Sequence, residues 1–184
     1  MQMSSTTFCA VKLMSAIEGL NCACIGGDES LIKSAYETYD SVLYELNEGS
    51  SSIYGMKSIA MEALQTCASP PGVVPLWGQI GEFVMTVDGM STLVRYHPQY
   101  HRWNAMHFEF LALEKFKPYI SETGYKSLFL NNLKFDCSLE NSALKAFLGL
   151  KQNRHSIPDR AYLPEWYEKP ITVLDTFGQC AFNF

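Results

Sequence analysis

The spacing of apolar positions changes from helical to alternating about two-fifths of the way along this chain. Between residues 29 and 46, Leu31, Ile32, Ala35, Tyr36, Tyr39, Val42, Leu43 and Leu46 recur at the 3.6-residue spacing of one helix face. Glu37, Asp40, Ser41 and Glu45 fall on the opposite face. Asp28 stands at the N-cap position, where a carboxylate can accept an otherwise unpaired backbone N–H. A second stripe, Ile53, Met56, Ala60, Ala63, Leu64 and Cys67, predicts a helix over residues 51–68. The short connection at Asn47-Glu48-Gly49 makes the two helices antiparallel neighbours. Ser69-Pro70-Pro71-Gly72 ends the second, because proline lacks an amide hydrogen and fixes φ.

After Pro75 the period becomes two. Residues 82–87 and 90–96 flank Asp88-Gly89, a pair that supplies the two positive φ values of a type I′ turn, so the segment reads as a hairpin. Residues 102–113 alternate in part through Trp103, Ala105 and His107 and predict a further strand. Residues 6–14 are rich in β-formers and read as an opening strand, with a helix as the competitor, followed by a loop over 21–27. Ser121 or Thr123 is placed to cap a short helix ending near Leu133. Residues 134–147 read as a hairpin turning at Glu140-Asn141, or as helical in their second half. Pro158, Pro164 and Pro170 make residues 150–170 an irregular surface arm, with 171–174 a last strand candidate. The pattern predicts an α+β fold, two antiparallel helices packed on a mostly antiparallel sheet. Residues 1–150 form its core domain and residues 151–184 a C-terminal arm packed on it.

A chain of 184 residues can bury roughly 70% of its unfolded surface, so the core needs no disulfide or metal. Cysteines lie at positions 9, 22, 24, 67, 137 and 180. Cys22-x-Cys24 is the one close pair, and its spacing suits neither a zinc knuckle nor a thioredoxin-type dithiol. Reduced thiols in a reducing compartment are expected. The N-terminus lacks the basic segment of a signal peptide, and Lys12 and Glu18 interrupt the apolar run after it. Neither a signal peptide nor a membrane span is therefore expected. The net charge of −5 is uneven, with three Lys/Arg against ten Asp/Glu in residues 1–94 and eleven against nine in residues 95–184. That balance argues against sequence-specific nucleic-acid binding, which needs a concentrated basic face.

Candidate chemistry is sparse. His97, His101 and His107 lie close together, with Glu109 just beyond. On a helix His97 and His101 would share a face, but Pro98 lies between them. In a strand His107 and Glu109 point to the same side and form a possible ligand pair. The alternative is a polar strand face, and on it the expectation is no catalytic residue, no cofactor and no metal. Arg95 and His101 match the loose spacing of a family of helical ribonucleases, yet Pro98 again breaks the helix that this spacing presumes. No elbow, phosphate-binding or dinucleotide-binding motif is present, so a non-enzymatic protein is expected. Lys145, Lys151, Arg154 and Arg160, with His155, form the densest basic stretch, which reads as a solvated arm or as a contact for an anionic partner.

Several short segments are similar to those of rhabdovirus matrix proteins, in the same order. They are Phe8-Cys-Ala-Val-Lys-Leu13, Tyr39-Asp-Ser-Val42, Ile53-Tyr-Gly-Met-Lys-Ser-Ile59, Gln79-Ile-Gly-Glu-Phe83, Tyr125-Lys-Ser-Leu-Phe-Leu130 and Lys134-Phe-Asp-Cys137. The chain thus resembles a short, plant-infecting member of that family over roughly residues 6–148. The resemblance implies a virion protein that self-associates and links a viral nucleocapsid to the inner membrane face, located in the virion and host cytoplasm and peripherally at membranes. The acidic first half and basic second half would suit head-to-tail packing of copies. The family's basic N-terminal arm and Pro-Pro-x-Tyr motif have no counterpart here.

Overall fold

The computed structural model describes residues 5–49, 58–100, 105–113, 124–130 and 137–152. Within them the order is α1 (Ser5–Gly26), α2 (Glu29–Leu46), α3 (Ile59–Thr66), β1 (Gly81–Val87), β2 (Met90–Tyr100), β3 (Ala105–Ala112), β4 (Tyr125–Leu130) and α4 (Leu139–Gln152). The fold class is α+β, with helices laid on a four-stranded antiparallel sheet of order β1-β2-β3-β4.

The first element departs from expectation. Residues 6–14 are not a strand but the start of a 22-residue helix that also absorbs most of the expected loop. Leu13, Ile17, Leu20 and Cys24 line its inner side and are fully buried, so packing decides against the local β preference. Gly27, at φ 73°, ends α1 in the left-handed conformation that glycine adopts without steric cost, and its N–H donates to the Ala23 carbonyl. Asp28 then caps α2 as expected, its carboxylate accepting from the backbone N–H groups of Ser30 and Leu31. Within α2, Ile32, Tyr39, Val42, Leu43 and Leu46 are buried, whereas Leu31 faces solvent. In α3, Ala60, Ala63 and Leu64 are buried and Ser58 is the N-cap. The expected start of that helix, residues 51–57, lies outside the described residues. α1 packs against both α2 and α3.

The hairpin turn falls where Asp88-Gly89 predicts it, with φ values of 51° and 75° at these two residues. β3 is also a strand as expected, and β2 loses its regular register between His97 and Tyr100, where Pro98 has no N–H for the ladder. Residues 125–130 form strand β4 rather than the expected short helix. Of the two readings of residues 134–147, the helical one holds, and the Ser138 hydroxyl accepts from the Asn141 N–H at the head of α4. The expected irregular arm from residue 150 begins inside α4, which runs to Gln152, and the rest of it, with the strand candidate at 171–174 and Cys180, lies outside the described residues.

One sheet face carries Phe83, Met85, Val94, Tyr96, Phe108 and Phe110 into the core, where Phe110 meets Phe147 of α4 at a ring separation of 6.0 Å. The segment before β1 ties this face to the helices. The Trp77 indole N–H donates to the Cys137 carbonyl at 2.9 Å, its backbone N–H donates to the Asn21 side chain, and its ring meets Tyr96 edge-on.

Candidate functional site

The chemistry lies on the opposite sheet face, because successive strand residues alternate sides. Register fixes two ranks there. Glu82, Arg95, Glu109 and Ser127 lie across β1, β2, β3 and β4, and His97, His107 and Phe129 form the next rank. Glu82, His97, His107 and Glu109 are buried.

In the first rank Arg95 lies between two carboxylates. Its Nε donates to Glu82 Oε2 at 3.2 Å, and its Nη1 is 4.0 Å from Glu109 Oε2. The Tyr125 hydroxyl donates to Glu109 Oε1 at 3.2 Å. Formally the three charged side chains sum to one negative charge. In the second rank the His97 and His107 rings stack at 6.0 Å, and His107 stacks in turn on Phe129 at 4.5 Å. His107 Nδ1 is 3.9 Å from Glu109 Oε1. Burial, with the Arg95 charge adding to it, pushes the His97 pKa down to about 4. Its imidazole is therefore neutral at physiological pH, the state in which histidine binds metals.

His97, His107 and Glu109 each offer a ligand atom, and these atoms lie within 4.8 Å of one another. Tetrahedral zinc with bonds near 2.1 Å requires ligand atoms roughly 3.4 Å apart, so the three donors would draw closer around a bound ion. Two imidazoles and one carboxylate form a recurrent donor set for zinc and non-haem iron.

The sequence reading placed His107 and Glu109 on one side of a strand, which the structure shows. It grouped His97 with them by nearness in sequence but paired it with His101 on a helix, whereas in the structure His97 arrives across the β2–β3 register. His101 lies outside the described residues. The Glu82–Arg95 pair was also missed, although the Asp88-Gly89 turn sets these residues opposite each other. Only part of the expected basic contact falls among the described residues. Lys145 lies on α4 with its Nζ 3.5 Å from Cys137 Sγ, Lys151 is in the last turn of α4, and Arg154 and Arg160 lie outside the described residues.

Residues 80–166 match the family model of the KlcB third domain, a segment that includes all three candidate ligands and α4. Two curated relatives, both Protein KlcB of Escherichia coli, are 34% identical over 114 residues and 32% identical over 120. The alignments cover 61% and 63% of this chain but 25% and 29% of the relatives, so the chain spans about a quarter of their length. No solved structure matches the chain. These bacterial similarities overturn the resemblance to rhabdovirus matrix proteins, and with it the matrix role, the nucleocapsid link and the virion location. The similarity that the chain does show is to KlcB, and from β1 through α4 it is to that protein's third domain.

Proposed function

We propose that this chain is a non-enzymatic binding domain that holds one divalent transition-metal ion between β2 and β3. His97, His107 and Glu109 are its ligands. The observation that carries this reading is the convergence of three buried donor groups from two adjacent strands within 4.8 Å. The formal negative charge of the Glu82–Arg95–Glu109 rank favours a cation beside the two imidazoles. Burial of all three ligands supports a stabilising metal rather than a hydrolytic centre, which needs substrate access. Tyr125 and Arg95 would hold the Glu109 carboxylate in orientation, as outer partners of metal ligands do.

The test uses chelator-treated protein titrated with cobalt(II) and then with zinc(II). Visible absorption in the range of four- or five-coordinate cobalt, saturating at one equivalent and displaced by zinc, supports the reading. His97→Ala combined with His107→Ala should abolish the signal while far-ultraviolet circular dichroism is retained. Folded wild-type protein that takes up neither metal stoichiometrically would refute it.

A further inference from the structure

α1 is apolar on both sides. Its inner side is buried against α2, α3 and the core, yet its outer side exposes Phe8, Val11 and Ile25 at 64%, 58% and 54%. The outward positions are Phe8, Val11, Ser15, Glu18, Cys22 and Ile25, all exposed. Their spacing alternates three and four residues, which is the spacing of a seam between two packed helices. Gly19 and Gly26 flank this seam with open space where a side chain would be.

The spacing of the seam, though not its residue types, is the same from either end. Reversed upon itself it sets Phe8 opposite Ile25, Val11 opposite Cys22 and Ser15 opposite Glu18. Large apolar groups meet at both ends, a small thiol fits against a branched side chain, and the central hydroxyl can donate to the central carboxylate. Such self-complementarity about a two-fold axis is the requirement for an isologous contact.

We infer that the outer face of α1 is a dimerisation surface on which the same helix of a second copy lies antiparallel, with the two-fold axis between residues 16 and 17. This is independent of the metal reading, which concerns the far side of the sheet. It also differs from the head-to-tail packing expected from charge, because a two-fold contact closes after two copies. Phe8–Gly26 is long and apolar enough to cross a membrane by length and composition. The occupant is nonetheless a second copy, because inserting α1 into a bilayer would strip Leu13, Ile17, Leu20 and Cys24 from the core, where they are fully buried.

Register makes the inference testable. In the antiparallel pair Val11 faces Cys22 of the other copy, whereas the two Cys22 residues are offset by about 16 Å along the axis and are too far apart for a disulfide. The full chain carrying Val11→Cys, oxidised with copper phenanthroline, should give a covalent dimer whose peptide map joins positions 11 and 22. Adding Cys22→Ser should remove that species. Phe8→Ser with Ile25→Ser, both outward-facing, should halve the mass seen by sedimentation velocity while the circular dichroism spectrum is kept. Cross-linking of Val11→Cys to itself in the Cys22→Ser background would show a parallel pair and overturn the inference. A monomer at about 100 µM, or a monomer that floats with phospholipid vesicles, would also overturn it.

Discussion

The Tyr39 hydroxyl on α2 donates a 3.0 Å hydrogen bond to the carbonyl of Gly78, 39 residues away in the approach to β1. Both groups are buried, and Gly78 has a φ of 88° that an L side chain adopts only under strain. A Cβ there would lie 3.1 Å from Tyr39 Cε2 and 3.2 Å from Leu20 Cδ2. Tyr39→Phe should therefore cost about 1–3 kcal/mol, since it deprives a buried carbonyl of this donor. Gly78→Ala should cost a similar amount through strain and crowding, about 1–3 kcal/mol. Urea titrations of the two variants measure both.

Asp28 is exposed, and its carboxyl is held below the ordinary range. The Ser30 hydroxyl contributes most, followed by the N–H groups of Leu31 and Ser30. A folded-state pKa below that of the unfolded chain gives stability that is present above the ordinary value of 3.8 and is lost as pH falls through the folded value. Asp28→Ala should lower the melting temperature at neutral pH, with the difference shrinking in acid, and Asp28→Ser should retain most of the wild-type value. Scanning calorimetry at neutral pH and in acid reads the change.

Arg95 carries more weight than an exposed ion pair. Its removal leaves Glu82 and Glu109 as buried carboxylates without this cation between them. Arg95→Met should destabilise the fold by about 3–5 kcal/mol, and combining it with Glu82→Gln should recover part of that loss. Equality of the single and double variants in chemical denaturation would deny the coupling.

Thiol reactivity should sort by burial. Burial, with Cys137 nearby adding to it, pushes the Cys24 thiol up to about 12, and burial also raises that of Cys67, whose S–H donates to the Ala10 carbonyl. In the Phe8→Ser, Ile25→Ser variant, iodoacetamide at pH 8 should label the exposed Cys22 well before Cys24 or Cys67, as read by peptide mass spectrometry. Between the ordinary value of 9.0 and about 12, folded Cys24 keeps a proton that the unfolded chain releases. Its contribution to stability is thus present below the ordinary value and is lost as pH rises toward 12. The urea midpoint should fall as pH rises above about 9, and Cys24→Ala should flatten that slope.

What the sequence disclosed follows from how local each signal is. α2 announces itself because polar and apolar positions separate cleanly and Asp28 marks its start. The β1–β2 hairpin announces itself through Asp88-Gly89, since a two-residue turn fixes register by itself. α1 did not, because Phe8, Val11 and Ile25 on its outer side cancel the contrast that Leu13, Ile17 and Leu20 create on its inner side. β4 was misread because Ser121 and Thr123 offered a plausible cap, while pairing with β3, a tertiary fact, decides the outcome. The candidate site was half legible for the same reason. His107 and Glu109 are joined by strand geometry alone, whereas His97 is joined to them only by the pairing of two strands.

The strand order β1-β2-β3-β4 also bears on how the molecule reaches its native state. Every strand pairs with its immediate chain neighbour, so the sheet can grow by successive short closures, each with a small entropic barrier. Docking of the N-terminal helix is of another kind. Its ties, such as Asn21 to Trp77 and Ala10 to Cys67, close loops of 56 and 57 residues. Distant contacts of this sort are the slow ones to form. The hairpin should therefore zip early and α1 should seat late. Until it does, both of its apolar sides remain in water, which makes the interval before docking the one in which this chain is most open to capture by another copy of itself.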